Sequence, residues 1–244
     1  MKNYRLIIQY DGTRYHGWQI QKNAVTIQQK ITEAIEILTR EKVLLTGSGR
    51  TDTGVHALGQ VANFKTEQEI DIYKFTHSLN AVLPADISVL NMDEVPEDFN
   101  ARFDAIKRSY LYLITEKKMP MFRKYIYYYR DKLDCSALNN LSLAFLGEHD
   151  FTSFSKKTKK LKSKVCTVYN LRWRKSGDIT ICYIEANRFL HNMVRMIIGT
   201  LLEGVKNRYD ENYIYEIFNS KDTAVSGDSV PAKGLFLYKV RYEI

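Results

Sequence analysis

The chain has 244 residues, 45% of them hydrophobic, enough for one large or two small domains with real cores. Lys plus Arg number 36 against 28 Asp plus Glu, and the resulting formal charge of +8 draws polyanions, nucleic acid first. No stretch approaches the ~18 apolar residues of a membrane helix. Met1-Lys2-Asn3-Tyr4-Arg5 lacks the apolar core of a signal peptide, and Cys135, Cys166 and Cys182 form no C-x-x-C pair, so the expectation is a cytoplasmic protein with reduced, packed thiols and no membrane contact.

Leu6-Ile7-Ile8-Gln9-Tyr10 predicts a strand ending at the Asp11-Gly12 turn signal. Thr26 and Gln29 are spaced as a capping box, and Ile27, Ile31, Ile35 and Leu38 recur on one face of the helix it opens. Val43-Leu44-Leu45 reads as a second short strand leading into a glycine-rich loop, and residues 59–64 alternate as a third. A helix over 72–83 stops at Pro84, which cannot continue the ladder. Residues 87–92 and 108–115 follow as strands, the latter with Tyr110 and Tyr112 on one face and Leu111 and Leu113 on the other. From about Asp134 the order recurs: a helix through Leu138, Leu141 and Phe145, then a hairpin of 169–174 and 179–185 turning at Ser176-Gly177-Asp178. A helix with Met193, Ile197 and Leu201 on one stripe follows, then one over 213–218 and a closing strand over 235–242. Strands mixed with helices in both halves predict an α+β pair of sheet domains, with no sequence repeat between them.

The loop Gly47-Ser48-Gly49-Arg50-Thr51-Asp52-Thr53-Gly54-Val55-His56 packs three glycines, an arginine, an aspartate and a histidine into ten positions after a strand. Two readings stand side by side: a ligand-approaching loop, or a tight turn in which Asp52 only accepts bonds from neighbouring amides. A phosphate-binding Walker loop would need Gly-Lys-Ser/Thr, and a dinucleotide loop would need a third glycine in register; neither fits. Asp52-Thr53-Gly54 is also the tripeptide of aspartic proteases, but it occurs once here, and Arg50 beside a carboxylate pair would favour both ionised and spoil the shared proton. An aspartate with a reference pKa of ~3.9 is already a nucleophile at neutral pH, so such a loop needs only a positioned electrophile.

This loop resembles the pseudouridine synthases of the TruA family, whose signature G-S-G-R-T-D-x-G-V-H-A is matched from Gly47 to Ala57. Tyr10-Asp11-Gly12-Thr13 with Tyr15-His16-Gly17-Trp18-Gln19 resembles the family's opening segment, and Asn80 with Leu83-Pro84 and Asp86-Ile87 its middle one. Phe99-Asn100-Ala101-Arg102-Phe103, then Ala105, Arg108, Tyr110 and Tyr112, resemble the strand that supplies a substrate-stacking tyrosine. Gly147 to Phe151 with Phe154, then Asn187, Phe189-Leu190, Met193-Val194-Arg195, Gly199 and Leu201, and finally Pro231-Ala232, Gly234-Leu235 and Leu237 extend the likeness over nearly the whole chain. Departures lie in the last quarter, at Glu203 to Asn207 and at Asp222-Thr223, and bear on RNA contacts there.

The resemblance implies two similar α/β domains (ferredoxin/RRM-like), at 1–104 and 105–244, forming a mixed, mainly antiparallel sheet with Asp52 in a central cleft. It implies isomerisation of uridine to pseudouridine at positions 38–40 of the anticodon stem and loop of tRNA, with no cofactor and no metal, by a homodimer. Asp52 is then the nucleophile, attacking C1′ or C6 of a flipped nucleotide. Tyr110, on pattern alone an ordinary strand tyrosine, becomes the candidate to stack on the displaced uracil. Arg195 is the candidate ion-pair partner of Asp52 and Arg50 the candidate for RNA backbone, with Leu237, Arg102 and Arg108 in the substrate-binding set. Tyr15, His16 and Trp18 are further candidates for sugar, phosphate or an unstacked base. The lysine run including Lys156, Lys157, Lys159 and Lys160 is either a solvated loop or a phosphate clamp. Two rivals from other classes are a non-catalytic RNA-binding module and an Asp-Thr-Gly protease.

Overall fold

A computed structural model describes residues 1–156 and 163–243. The chain divides into two compact units, Met1–Ile106 with Phe236–Ile244, and Lys107–Leu235.

The first unit runs β1 (Lys2–Tyr10), α1 (Ile27–Thr39), β2 (Thr46–Gly47), β3 (His56–Thr66), α2 (Ile72–Val82) and β4 (Ile87–Val95). β1 pairs antiparallel with both β3 and β4, and β2 pairs antiparallel with β3, the order of a ferredoxin-like β-α-β-β-α-β unit. Ile27, Ile31 and Ile35 of α1 are fully buried, as are Leu6 and Ile8 of β1 and Phe64 of β3. Each such side chain contributes roughly 2–3 kcal/mol of apolar burial. The capping box at the start of α1 is only half made: Thr26 Oγ1 accepts from Gln29 N, whereas the Gln29 side chain turns forward, its Nε2 donating to Glu33, and its oxygen does not accept from Thr26 N. Val43-Leu44-Leu45 is not a strand. Leu44 is 82% exposed, and the ladder to β3 is confined to Thr46↔Asn63 and Gly47↔Ala62.

The second unit takes in β5 (Ala105–Thr115) from Lys107 onward, then β6 (Tyr127–Tyr128), α3 (Cys135–Ser142), β7 (Gly147–Asp150), β8 (Val165–Ser176), β9 (Ile179–Ala186), α4 (Met193–Lys206) and α5 (Glu211–Ser220). β5, β9, β8 and β7 pair antiparallel in that order, with β6 parallel to the end of β5. The strand-helix-strand-strand-helix order of the first unit thus recurs as β5, α3, β8, β9 and α4. Phe145 lies in a 3-10 turn beyond α3 and packs with Phe154 and Phe218 in an aromatic cluster. Among the described residues, no helix is long and apolar enough to cross a membrane.

The final strand, β10 (Leu235–Tyr242), is expected from sequence with the second domain, yet residues from Phe236 onward belong to the first unit. There Phe236 and Leu237 pair in parallel with His56 and Ala57, and the Tyr242 hydroxyl donates to Ala101 O at 2.7 Å.

A buried asparagine pair ties the segment before Arg102 to the first sheet. Asn3 Nδ2 donates to Pro96 O and Phe99 O, Asn63 Nδ2 donates to Asn3 Oδ1 at 3.0 Å, and Asn63 Oδ1 accepts from Ala101 N at 2.9 Å. Asn63→Ala strands the Ala101 amide and the Asn3 carbonyl away from water, and we expect a loss of about 2 kcal/mol or more in urea unfolding. An unchanged unfolding midpoint would show that these bonds contribute nothing net.

Candidate active site

The loop between β2 and β3 is held on all sides within the first unit. Ser48 N donates to Val61 O at 2.7 Å, and the Ser48 hydroxyl donates to the buried Gln60 Oε1, whose amide donates in turn to Gly49 O. Thr51 Oγ1 and the Tyr10 hydroxyl are 2.7 Å apart, and Thr51 O accepts from Trp18 N. Asp52 O accepts from Val55 N, and Gly54 N donates to Tyr15 O, so both sides of Asp52 are fastened through backbone groups. The Asp52 side chain itself is half-buried.

Segment 15–18 fits this loop so closely that side chains are excluded at the contact. Gly17 has φ +85°, and a Cβ there would lie 2.5 Å from Thr51 O; a Cβ at Gly47 would lie 2.6 Å from the Trp18 ring. Trp18 is 1% exposed and Tyr15 is buried with its hydroxyl donating to Asp86 at 2.6 Å, so both pack under the loop, whereas His16 is exposed. Burial and the Asp86 carboxylate push the Tyr15 phenol well above its ordinary pKa. His56 closes the loop from below: its Nδ1 accepts from Gly12 N at 3.1 Å and its ring stacks on Phe236 at 4.7 Å. Arg50 is exposed and donates through Nε to Gln19. Leu237 is 1% exposed beside Ala57, and Arg102 is an exposed turn residue whose guanidinium lies over Phe103. Asp52, Arg50, Arg102 and Leu237 therefore share one unit.

The other candidates belong to the second unit. Tyr110 sits on β5 opposite Ile184 of β9, 8% exposed, with the Phe189 ring edge-on at 5.1 Å. Arg108 donates to Asn187 O at 2.9 Å, two residues before Phe189, so β5 and the 187–189 turn are locked together. Arg195 lies in the first turn of α4 and donates through Nε to Val230 O at 2.7 Å, while Val230 N donates back to Arg195 O. Tyr112, on the same face as Tyr110, is buried with its hydroxyl donating to Pro231 O, and burial raises its phenol pKa strongly. Lys156 is exposed, its backbone N donating to His191 O; Lys157, Lys159 and Lys160 lie outside the described residues. Sequence reasoning missed Gln60, because a buried side chain that bonds a loop eleven or twelve residues away has no local signature.

A family model described as tRNA pseudouridine synthase matches residues 6–104 and 142–243. The stretch between the two matches carries Tyr110 and a run of tyrosines at 127–129. The chain is 43% identical to "tRNA pseudouridine synthase A" of Thermoanaerobacter sp. (strain X514), over 99% of this chain and 100% of that one. It is 46% identical to the protein of that name in Clostridium kluyveri, with the same coverage, and 46% identical to "tRNA pseudouridine synthase A 2" of Clostridium tetani, over 99% of each.

Gly17→Ala forces a left-handed backbone on alanine and drives its Cβ into Thr51 O. We expect it to destabilise the protein by about 2 kcal/mol or more in chemical denaturation. An unaltered midpoint would mean that segment 15–18 yields freely beneath the loop.

Proposed function

Because the chain belongs to the tRNA pseudouridine synthase family, we propose that it isomerises uridine to pseudouridine in tRNA with the Asp52 carboxylate as nucleophile. The observation that carries this reading is the Asp52 loop itself: a family-signature sequence whose backbone is fastened to β3, Trp18 and Tyr15, so that a half-buried carboxylate is presented in one place. A fixed nucleophile converts a flipped nucleotide into a near-attack partner, and such positioning supplies a large part of a barrier's reduction.

The reaction breaks the bond from ribose C1′ to uracil N1 and forms one from C1′ to C5, and the C5 proton leaves. N1, released from the ribose, takes up a proton in its place, so no atom is gained or lost overall and no redox equivalent enters. If Asp52 attacks C1′, it displaces uracil through N1 and forms an ester that C5 then displaces; if it attacks C6, it loosens the ring for the same exchange. Tyr110 takes the displaced uracil against its ring, with its hydroxyl near the departing C5 proton. Arg195 is the cation that favours the ionised nucleophile, and Arg50, Arg102, Arg108 and the lysines at 156, 157, 159 and 160 take RNA backbone. Leu237, buried next to Ala57, supports the floor beside the loop. The target uridines are positions 38–40 of the anticodon stem and loop, and the working form is a cytoplasmic homodimer.

The test is to incubate the purified protein with chelator and an unmodified tRNA transcript, then map pseudouridine by carbodiimide adducts. Signal at 38–40 is expected from the parent chain. Asp52→Asn should bind tRNA as well but lose turnover by at least about a thousandfold, and Tyr110→Phe should bind normally and turn over more slowly. Undiminished turnover in Asp52→Asn would sink the nucleophile assignment.

A further inference from the structure

The stretch from Lys117 to Lys132 sets six basic residues against a single acid, Asp131, and interleaves them with Phe122, Tyr125 and the three tyrosines 127–129. Part of it forms the wall of a cavity of about 480 Å³ in the second unit, lined by Tyr127 to Asp131 together with Pro231 and Lys233. That volume is within the range of sites for small ligands, roughly 300–1,000 Å³.

Three features point to one chemistry. Tyr127 and Tyr129 are half-buried with ring centroids 5.9 Å apart, and Tyr127 is braced edge-on against the buried Tyr112, so their rings are held but not covered. Arg130 is exposed, and neither it nor Lys233 makes a side-chain hydrogen bond or ion pair among the described residues. Asp131, the one acid, is engaged by Lys206 at 2.9 Å, which leaves the cavity a net cation donor. Held aromatic faces beside two uncommitted cations suit a group that offers both a π-face and a phosphate, which is an unstacked nucleotide.

We propose that this cavity binds a nucleotide of the RNA substrate other than the uridine under reaction, its base against Tyr127 and Tyr129 and its phosphate on Arg130 and Lys233. The site rests on the chain acting on RNA, and its place in the second unit ties it to residues already assigned. Tyr112, which braces Tyr127, lies two positions along β5 from Tyr110, about 7 Å at strand spacing. The cavity wall at Pro231 accepts the Tyr112 hydroxyl, and the adjoining Val230 carbonyl accepts from Arg195.

The experiment uses the full chain and an unmodified tRNA transcript, reading the binding constant against salt and the single-turnover rate at saturating protein. Tyr129→Leu should weaken binding roughly 5- to 100-fold, the range for removal of one base stack. Arg130→Gln combined with Lys233→Gln should flatten the log-log salt slope by about 0.7 for each phosphate that the protein no longer neutralises. Neither change should alter the saturated rate. Normal affinity and slope in both variants, with native circular dichroism, overturn the site. Should a variant fail to fold, cross-linking of the unaltered protein to tRNA carrying 4-thiouridine decides: adducts on residues 127–130 are expected, and their absence refutes the proposal. An unaltered protein that binds tRNA but forms no pseudouridine would instead refute the catalytic reading and leave this site standing.

Discussion

The constraint on which the active loop depends is the close approach of two backbones, the loop 47–56 and the segment 15–18. At Gly17 the chain comes within van der Waals reach of Thr51 O in a left-handed conformation, and at Gly47 the Trp18 ring takes the space a side chain would need. Bonds from Trp18 N to Thr51 O and from Gly54 N to Tyr15 O stitch the two together. The glycines here permit one backbone to be cast against the other, so the loop's richness in glycine produces stiffness. Freedom of conformation in the unfolded chain is the cost.

That stiffness matters because an aspartate needs little chemical activation. A carboxylate is ionised near neutral pH by default, so what an enzyme can add is position and the exclusion of competing geometries. Buried partners supply it: Gln60 holds Ser48 and Gly49, Tyr10 holds Thr51, and His56 holds Gly12, each a polar side chain committed to a loop that would otherwise be mobile. The second unit follows the same pattern, with Arg108 and Arg195 each directing one donor to a backbone carbonyl, Asn187 O and Val230 O, which fixes where each guanidinium sits.

Much of this was legible from residue order. The helices with clear 3.6-residue stripes and the hairpin at Gly177-Asp178 are local properties, and the structure has them where the periodicity puts them; β3 is a strand as expected, but residues 59–64 are all buried, so it does not alternate between a core and a solvent face. Failures share a cause in long-range context. Val43-Leu44-Leu45 has strand composition but no neighbour to pair with until Thr46, and the Gln29 side chain turns forward to Glu33 instead of back to the Thr26 amide. By sequence Tyr15 and Trp18 read equally as core or RNA-contacting aromatics, and it is Asp86 and the loop itself, distant in the chain, that bury them. The Asn3–Asn63 pair and the wall that Pro231 and Lys233 add to the tyrosines join residues 60 and about a hundred positions apart, a distance at which no local pattern speaks.

Native-state hydrogen exchange of the loop amides tests most directly whether this stitching presents Asp52 from a rigid frame. The amides of Trp18, Ser48 and Val55 should exchange as slowly as those in the middle of β1 and β3, because each donates to a backbone carbonyl inside the same packed unit. Exchange at the rate of an ordinary surface loop would contradict the premise that the nucleophile is held in place before substrate arrives.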